Sequence, residues 1–266
     1  MESNQCQAII MKNIITILVT LTFLMSSFKI LNVKDDVIDT VVIDAGHGGH
    51  DPGCHGKLAK EAHVALQVAL KTGALIKKKL PKVNVIYTRN KNVFVELHER
   101  AKIANIQGAD LFISIHCNSG PSSAYGPEIY AMGLHKEEGN LEVAKRENAV
   151  IKKEENYLDS YDGFDPDSPI AHIMIANMQN QYQQKSLSFA ASVDGEFGKF
   201  VRKSRGVKQA GFLVLWKTTM PSVLVEVGFL TNTTEEKSLT SSAYQYKMAN
   251  SICEAFVNYK KNNEHH

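Results

Sequence analysis

Apolar runs that predict strands alternate with helix-like patterns along most of the chain from Asp39 onward. Short β-branched and aliphatic runs predict strands at 40–44, 83–89, 110–116, 126–132, 211–215 and 222–227. Apolar residues spaced three and four apart predict helices at 61–80, 96–107, 186–201 and 244–259. Strands that alternate with helices pack as a sheet covered on both faces, so the pattern predicts an α/β fold.

Residues 134–186 depart from this alternation. The stretch is rich in Glu, Lys, Asn and Gln, and it contains the turn-forming sequence YDGFDP at 161–166 but no strand pattern. We therefore expect a helical insertion within one domain that spans 39–260. On a helical wheel for residues 140–158, Glu147 and Glu154 fall in the middle of an apolar face. A carboxylate there is costly unless it meets a cation, a metal or hydrogen-bond donors.

The first 33 residues predict a secretory signal peptide or an uncleaved N-terminal anchor. Lys12 precedes an apolar run at 14–25, and two serines follow it. Signal peptides combine a basic start with an apolar stretch of ~7–15 residues, whereas a transmembrane helix needs ~20. No clear A-x-A cleavage site follows, so both alternatives stay open. In either case we expect the protein to work in the periplasm or the extracellular space.

Charge and cysteine content narrow the class of protein. The chain has 30 basic and 28 acidic residues and a formal net charge of +2, which gives no electrostatic reason to expect a nucleic-acid partner. Its 4 cysteines are scattered, without a CxxC pair. Neither a disulfide framework nor a cysteine-based zinc site is expected. Any metal would therefore be held by histidine and carboxylate side chains.

Four such side chains occupy positions where ligand sites assemble. His47 and His116 follow predicted strands, Glu61 opens a helix, and Glu226 lies near the end of another strand. In α/β sheets, ligand sites form at the carboxyl ends of strands. Zinc catalysis needs about three protein ligands, an open position for water and a nearby carboxylate that takes the proton of that water. Together the four residues favour a metal hydrolase site.

The sequence around these residues resembles a known family. VVIDAGHGGHDPG at 41–53 is similar to the N-terminal zinc motif of the N-acetylmuramoyl-L-alanine amidase type 3 family. Further blocks follow in the family's order: Lys60-Glu61, YTR and LHERAKIAN within 87–105, ADLFISIHCNS at 109–119, RGVKQAGFLVL at 205–215 and MPSVLVEVGFLTN at 220–232. The resemblance covers about 41–259, and several ordered blocks are far more specific than GHGG alone.

The resemblance implies a fold, a cofactor and an activity. The family fold is a three-layer α/β/α sandwich with a mixed, mostly parallel sheet and one zinc ion. Carried over by motif, His47, Glu61 and His116 are the zinc ligands and Glu226 is the catalytic carboxylate. The implied reaction is hydrolysis of the amide bond between N-acetylmuramic acid and L-alanine in peptidoglycan, for daughter-cell separation or wall remodelling, by an enzyme expected to be a monomer.

The inserted segment carries a further expectation. Some members of the family that serve in cell division have an inserted helix that covers the active site and places an acidic side chain on zinc. By resemblance, Glu147, or as a second choice Glu154, takes the open position of zinc in an autoinhibited state, and an activator protein displaces the helix. The alternative is a solvated, mobile helix with no inhibitory role.

Three other functions compete with this interpretation. A zinc peptidase acting on peptidoglycan stem peptides would use the same ligands. A non-catalytic wall-binding module would lack a ligand or the final carboxylate, and a glycosidase would use two carboxylates and no metal.

Several neighbouring residues are expected to have structural roles only. His50, His55 and His63 should face solvent, and Cys117 should be a core residue. Arg89 and Arg100 should form structural ion pairs. For two further residues, Asn118 and Glu128, the sequence leaves open whether they line the cleft.

Overall fold

The computed structural model describes residues 37–135, 137–178, 181–201 and 203–264. The predicted signal peptide or anchor at 1–33 lies outside these residues. Among the described helices, none combines the length and the apolar character that a membrane span requires.

Within the described residues, six strands form one mixed sheet. They are β1 (Thr40–Ala45), β2 (Asn84–Tyr87), β3 (Leu111–Asn118), β4 (Glu128–Met132), β5 (Val207–Ala210) and β6 (Ser222–Phe229). Their order across the sheet is β2-β1-β3-β6-β4-β5. Strands β2, β1, β3 and β6 run parallel, while β4 is antiparallel to β6 and parallel to β5. The expected mixed, mostly parallel sheet is confirmed.

Helices cover both faces of this sheet, as the three-layer expectation requires. They are α1 (Glu61–Lys79), α2 (Leu97–Ile106), α3 (Glu138–Asn148), α4 (Tyr157–Ser160), α5 (Pro169–Asn177), α6 (Gln183–Gly198), α7 (Leu213–Trp216), α8 (Thr233–Leu239) and α9 (Ser242–Asn263). Side chains alternate across a strand, so Ile113 and Ile115 of β3 join one core with α1, α6 and α9. Phe112 joins the other core, with α2, α7 and apolar residues of α3 and α5.

The predicted strand at 211–215 is wrong. The edge strand is β5, which ends at Ala210, and the apolar residues beyond it form the short helix α7. The side chain of Asn148 donates to the Gly211 carbonyl at 2.8 Å and accepts from the Leu213 amide at 2.9 Å. These backbone groups are therefore bonded to a side chain of α3 and not to a neighbouring strand.

The helix expected over 140–158 is interrupted. Helix α3 ends at Asn148, a 3-10 helix follows at Ala149–Lys153, and Asn156 has a left-handed backbone with φ of 53°. The side-chain bonds of Asn148 tie the end of α3 to the sheet layer. As a result, Glu147 and Glu154 lie on separate elements and do not share one helical face.

Candidate active site

Three strands bring the sequence-predicted residues to one edge of the sheet. His47 follows β1, and His116 lies near the end of β3, directly opposite Glu226 of β6 in the register of the two strands. Glu61 is the first residue of α1. Because β1, β3 and β6 are parallel, their carboxyl ends meet at the same edge.

Four buried donor groups converge there. The Nε2 atom of His47 lies 3.1 Å from Glu61 Oε1 and 3.1 Å from Glu147 Oε2. The Nδ1 atom of His116 lies 3.0 Å from each of the same two oxygens. Donors around a tetrahedral zinc ion, with bonds of 2.0–2.2 Å, are separated by about 3.3–3.6 Å. The nitrogen and oxygen atoms present thus have the chemistry and nearly the spacing of a tetrahedral zinc site.

Glycines allow this close approach of side chains to the backbone. A Cβ atom on Gly46 would lie 2.4 Å from the His116 ring, and one on Gly53 would lie 2.6 Å from both the Glu61 carboxylate and the His47 ring. His47 itself has φ of 59°, a left-handed conformation that non-glycine residues adopt at an energetic cost. Such strain concentrates at functional sites, and here it turns the imidazole toward the sheet edge.

Hydrogen bonds fix the orientation of two of these groups. Asp51 Oδ2 lies 2.6 Å from His47 Nδ1, which leaves Nε2 facing the cluster. Glu61 accepts hydrogen bonds from the backbone amides of Cys54 at 2.8 Å and Cys117 at 2.9 Å. Sequence reasoning missed Asp51, although a carboxylate four residues after His47 in the same turn was a usable signal.

Two buried arginines support the glycine-rich turn. Arg100 is 1 % exposed and forms an ion pair with Asp44 at 2.8 Å, and its Nη2 donates to the His47 carbonyl at 2.9 Å. Arg89 Nη2 donates to the Gly46 carbonyl at 2.7 Å. The structural ion pair expected of Arg100 is confirmed, whereas Arg89 is bonded to carbonyl oxygens.

Glu226 is fully buried beside the cluster, and neither of its oxygens accepts a hydrogen bond from a described residue. Burial raises the pKa of Glu226, the charge of Glu147 raises it further, and Arg146 opposes the rise. A carboxyl group with a raised pKa can both take and return a proton near neutral pH. Its position and environment suit a general base and acid.

The electrostatic field of the cluster favours a cation. Burial by itself would lower the pKa of His116, but Glu147 and Glu61 outweigh it and raise that pKa to about 9. Two buried carboxylates beside two histidines therefore attract positive charge to this point, which is what a divalent metal ion supplies.

We call the strand ends of β1, β3 and β6 with the first turn of α1 the floor of the site, and α3 with the following 3-10 helix its cover. Glu147, on α3, is 4 % exposed and completes the donor cluster. Lys153 of the cover lies 2.5 Å from Asp51 Oδ1. A cavity of about 220 Å³ remains between floor and cover.

The structure brings Glu147, and not Glu154, to the histidines. Glu154 accepts hydrogen bonds from the Leu97 amide at 2.8 Å and from the Tyr161 hydroxyl at 2.5 Å, at the start of α2. It therefore connects the residues after the 3-10 helix to the start of α2, away from the donor cluster.

The residues expected to have no chemical role lie as predicted. His50, His55 and His63 are exposed, and Cys117 is buried in the core beneath the sheet. Asn118 and Glu128 are both buried, Asn118 donates to Glu128 at 2.8 Å, and Glu128 lies opposite Glu226 in the register of β4 and β6.

Arg146 is a site residue that sequence reasoning missed. Its Nη2 lies 3.5 Å from Glu226 Oε1 and its Nε donates to Glu147 Oε1 at 3.0 Å. The apolar periodicity of 140–158 indicates Glu147. It does not indicate that the long side chain of the neighbouring arginine brings its guanidinium to the same point.

The chain is similar in sequence to known proteins. The family model described as N-acetylmuramoyl-L-alanine amidase matches residues 41–258. N-acetylmuramoyl-L-alanine amidase AmiA of Escherichia coli strain K12 is 32% identical over 227 residues, which cover 82% of this chain and 75% of the relative. AmiC of Escherichia coli O6:H1 is 33% identical over 217 residues, 80% of this chain, and the chain spans 50% of the length of that relative.

A solved structure has the same fold. The N-acetylmuramoyl-L-alanine amidase of Clostridium difficile 630 superposes with a TM-score of 0.63 at 25% identity, covering 84% of this chain and 97% of the other. The match of the family model over most of the chain and the shared α/β fold lead to one conclusion. The chain belongs to the type 3 family of N-acetylmuramoyl-L-alanine amidases.

Proposed function

We propose that the protein is a zinc-dependent amidase that hydrolyses the bond between N-acetylmuramic acid and L-alanine in peptidoglycan. The observation that carries this proposal is the convergence of His47, Glu61 and His116 beside a buried carboxylate, Glu226, without hydrogen bonds from described residues. Three protein donors with a general base alongside are the requirements of a hydrolytic zinc site.

His47, Glu61 and His116 would hold the ion. When bound, zinc polarises the scissile carbonyl and lowers the pKa of water toward ~7. Asp51 keeps His47 in the tautomer whose Nε2 faces the ion, since its carboxylate accepts from Nδ1. The amides of Cys54 and Cys117 donate to the Glu61 carboxylate and fix its orientation.

Glu226 would move the proton. Its carboxylate takes a proton from the attacking water and passes it to the leaving nitrogen as the carbon–nitrogen bond breaks. The nitrogen keeps the electron pair of that bond and leaves as the free amine of L-alanine, while the lactyl carbonyl becomes a carboxylate. Burial keeps Glu226 away from bulk water, so its proton is delivered only to a group inside the site.

We further propose that Glu147 occupies the fourth position of zinc in an autoinhibited resting state. Its Oε2 lies 3.1 Å from His47 Nε2 and 3.0 Å from His116 Nδ1, in the donor cluster itself. A carboxylate placed there competes with water and with the substrate carbonyl for the same ion.

Release of the cover would require a partner protein. Helix α5, in the same segment, leaves Ile170, Ile173 and Met174 exposed at the spacing of one helical turn. A contiguous apolar stripe of this kind suits a protein that covers it and draws the segment away from the floor. On this basis we propose a regulated role in daughter-cell separation or wall remodelling, outside the cytoplasm where peptidoglycan lies, after export directed by residues 1–33.

Digestion of purified peptidoglycan, with products identified by mass, tests the activity. The Glu147→Ala protein is used beside the parent, so that a covered site does not hide the reaction, and Glu154→Ala is the control from the same segment. Intact stem peptides that begin with L-alanine should appear, disappear on chelation and return with zinc.

The other outcomes separate the alternatives. Stem peptides cut at an internal bond would indicate the peptidase function. Hydrolysis that persists after complete chelation would rule out the zinc mechanism, and no product from any of the three proteins would favour a non-catalytic wall binder.

A further inference from the structure

Arg146 fills a set of hydrogen-bond acceptors on the floor. Its Nη2 donates to Asn118 Oδ1 at 3.0 Å, and its Nη1 donates to the Ser119 carbonyl at 3.0 Å. The same Nη2 lies 3.5 Å from Glu226 Oε1. A donor nitrogen from the cover is thus held at one point by an acceptor at the end of β3 and by the carboxylate of β6.

The orientation of Asn118 is fixed from behind. Its Nδ2 donates to Glu128 Oε2 at 2.8 Å, and Tyr130 donates to that same oxygen at 2.6 Å. Because the Nδ2 end is taken, Oδ1 must face the cleft, where it accepts from the Ser119 amide and from Arg146. Asn118 is fully buried, so its acceptor is prepared for a donor that enters the site.

Amide hydrolysis needs a donor nitrogen at such a point. The leaving nitrogen must lie within hydrogen-bond reach of the group that protonates it. Its own N–H, removed from water on binding, needs an acceptor or binding becomes unfavourable. The position of Arg146 Nη2 meets both conditions, since Asn118 Oδ1 accepts there and the Glu226 carboxylate lies beside it.

We propose that Asn118 Oδ1 accepts the N–H of the scissile amide and that Arg146 stands in the place of this amide when the cover is closed. The inference rests on the proposed function. Asn118 then holds the amide nitrogen while Glu226 delivers the proton and the carbon–nitrogen bond breaks, with the electron pair staying on nitrogen. The cover blocks the site twice, with Glu147 at the metal ligands and Arg146 at the leaving-group position.

The first test uses the full chain with Arg146→Ala and Glu147→Ala together, which removes both blocking side chains. In this open variant, Asn118→Leu replaces the acceptor with a side chain of similar size. We expect kcat/KM for a soluble muramyl peptide to fall about tenfold or more, the loss associated with one hydrogen bond to the reacting group. Zinc content and unfolding temperature, measured on each protein, should stay close to those of the open variant.

Tyr130→Phe in the same background is the matched control. It removes a hydrogen bond to the same Glu128 oxygen but leaves Asn118 Oδ1 in place, so kcat/KM should change less than threefold or so. A loss as large as that of Asn118→Leu would mean that Asn118 acts only by supporting Glu128, and the inference would be overturned.

A second readout needs no hydrolysis. In the open variant, free guanidinium ion should enter the position vacated by Arg146 and shift the side-chain amide resonances of Asn118. The ion should also compete with a muramyl peptide, and Asn118→Leu in the same background should abolish this competition. If neither the shift nor the competition is observed, the inference is overturned. Hydrolysis by the open variant would in that case still support the proposed function. If guanidinium binds through Asn118 but no variant catalyses hydrolysis, the proposed function itself is overturned. The assignment of Asn118 as an acceptor for the scissile amide is then overturned as well.

Discussion

The floor and the cover contribute carboxylates to the same cluster but are held in different ways. Glu61 of the floor is fully buried and receives two backbone hydrogen bonds, above an apolar core that includes Cys117. Glu147 of the cover contacts the histidines of the floor, Arg146 beside it has a side chain that is 30 % exposed, and Lys153, which forms an ion pair with Asp51, is 46 % exposed. Partly exposed ion pairs contribute little to stability.

The floor therefore sets the geometry of the site, and the cover controls access to it. The floor acquires its shape when the sheet folds, because buried arginines, glycines and strand register determine where His47 and His116 lie. The cover meets the floor through the polar side chains of Arg146, Glu147 and Lys153, while its apolar residues, Val143, Ala144, Val150 and Ile151, pack into the core that contains Phe112. An element that must leave for the reaction to proceed is expected to come from the less stable part of a fold.

The largest expected effect comes from a floor residue. Glu226→Gln keeps the size of the side chain but cannot take a proton, so hydrolysis of peptidoglycan should fall by about 10²–10⁴-fold. The assay is release of stem peptides, made in the background of Arg146→Ala with Glu147→Ala so that neither blocking side chain limits the rate. Zinc content and unfolding temperature should be unchanged, and activity within threefold or so of the background would remove Glu226 from the mechanism.

The next effect concerns the stability of the floor. Arg100→Ala leaves the fully buried Asp44 without its ion-pair partner, so the free energy of unfolding should fall by roughly 3–5 kcal/mol. Urea unfolding of the full chain measures it. Lys102→Ala, on the same helix, is the control, since that side chain is 57 % exposed and its removal should cost less than about 1 kcal/mol. Equal losses would contradict the view that the floor is the rigid half.

A smaller effect is expected from opening the cover. Glu147→Ala removes the carboxylate from the donor cluster and should raise hydrolysis about tenfold, as expected if the contact contributes about 1.4 kcal/mol to the closed state. Glu154→Ala should not give this increase, because the Glu154 carboxylate bonds to Leu97 and Tyr161 and not to the donor cluster. Unchanged hydrolysis with Glu147→Ala would show that the Glu147 carboxylate does not inhibit.

Much of the floor could be predicted from sequence because the signals that mark it are local in the chain. A buried strand followed by a glycine-rich turn indicates that His47 lies at a strand end, and the ordered family motifs mark Glu61, His116 and Glu226. The strand register that places His116 opposite Glu226 is not such a local signal. The error at 211–215 arose because an apolar run reads alike as a strand or as a buried helical turn. The helical turn is favoured by Asn148, a residue distant in the sequence whose side chain bonds to both Gly211 and Leu213.

The cover was less predictable because its arrangement also depends on side chains that are distant in the sequence. The apolar periodicity of 140–158 continues past the point where α3 ends, so it could not show that Glu147 and Glu154 separate. The contacts of Arg146 and Lys153 depend on long side chains that reach across to the floor. Periodicity reports which face of a helix is apolar, and it carries no information on where a flexible charged side chain ends.

The smallest effect should come from Lys153, and it tests how the cover is retained. Lys153→Ala removes the ion pair with Asp51 on a side chain that is 46 % exposed, so the free energy of unfolding should change by less than about 1 kcal/mol. Because the lost contact joins cover to floor, even this small change favours the open state and should raise hydrolysis by up to about threefold. Added salt screens the same pair and should raise hydrolysis by the parent but less so by the variant. A loss of stability as large as that of Arg100→Ala would instead mean that the cover is part of the rigid fold, in which case a partner could not displace it without partly unfolding the enzyme.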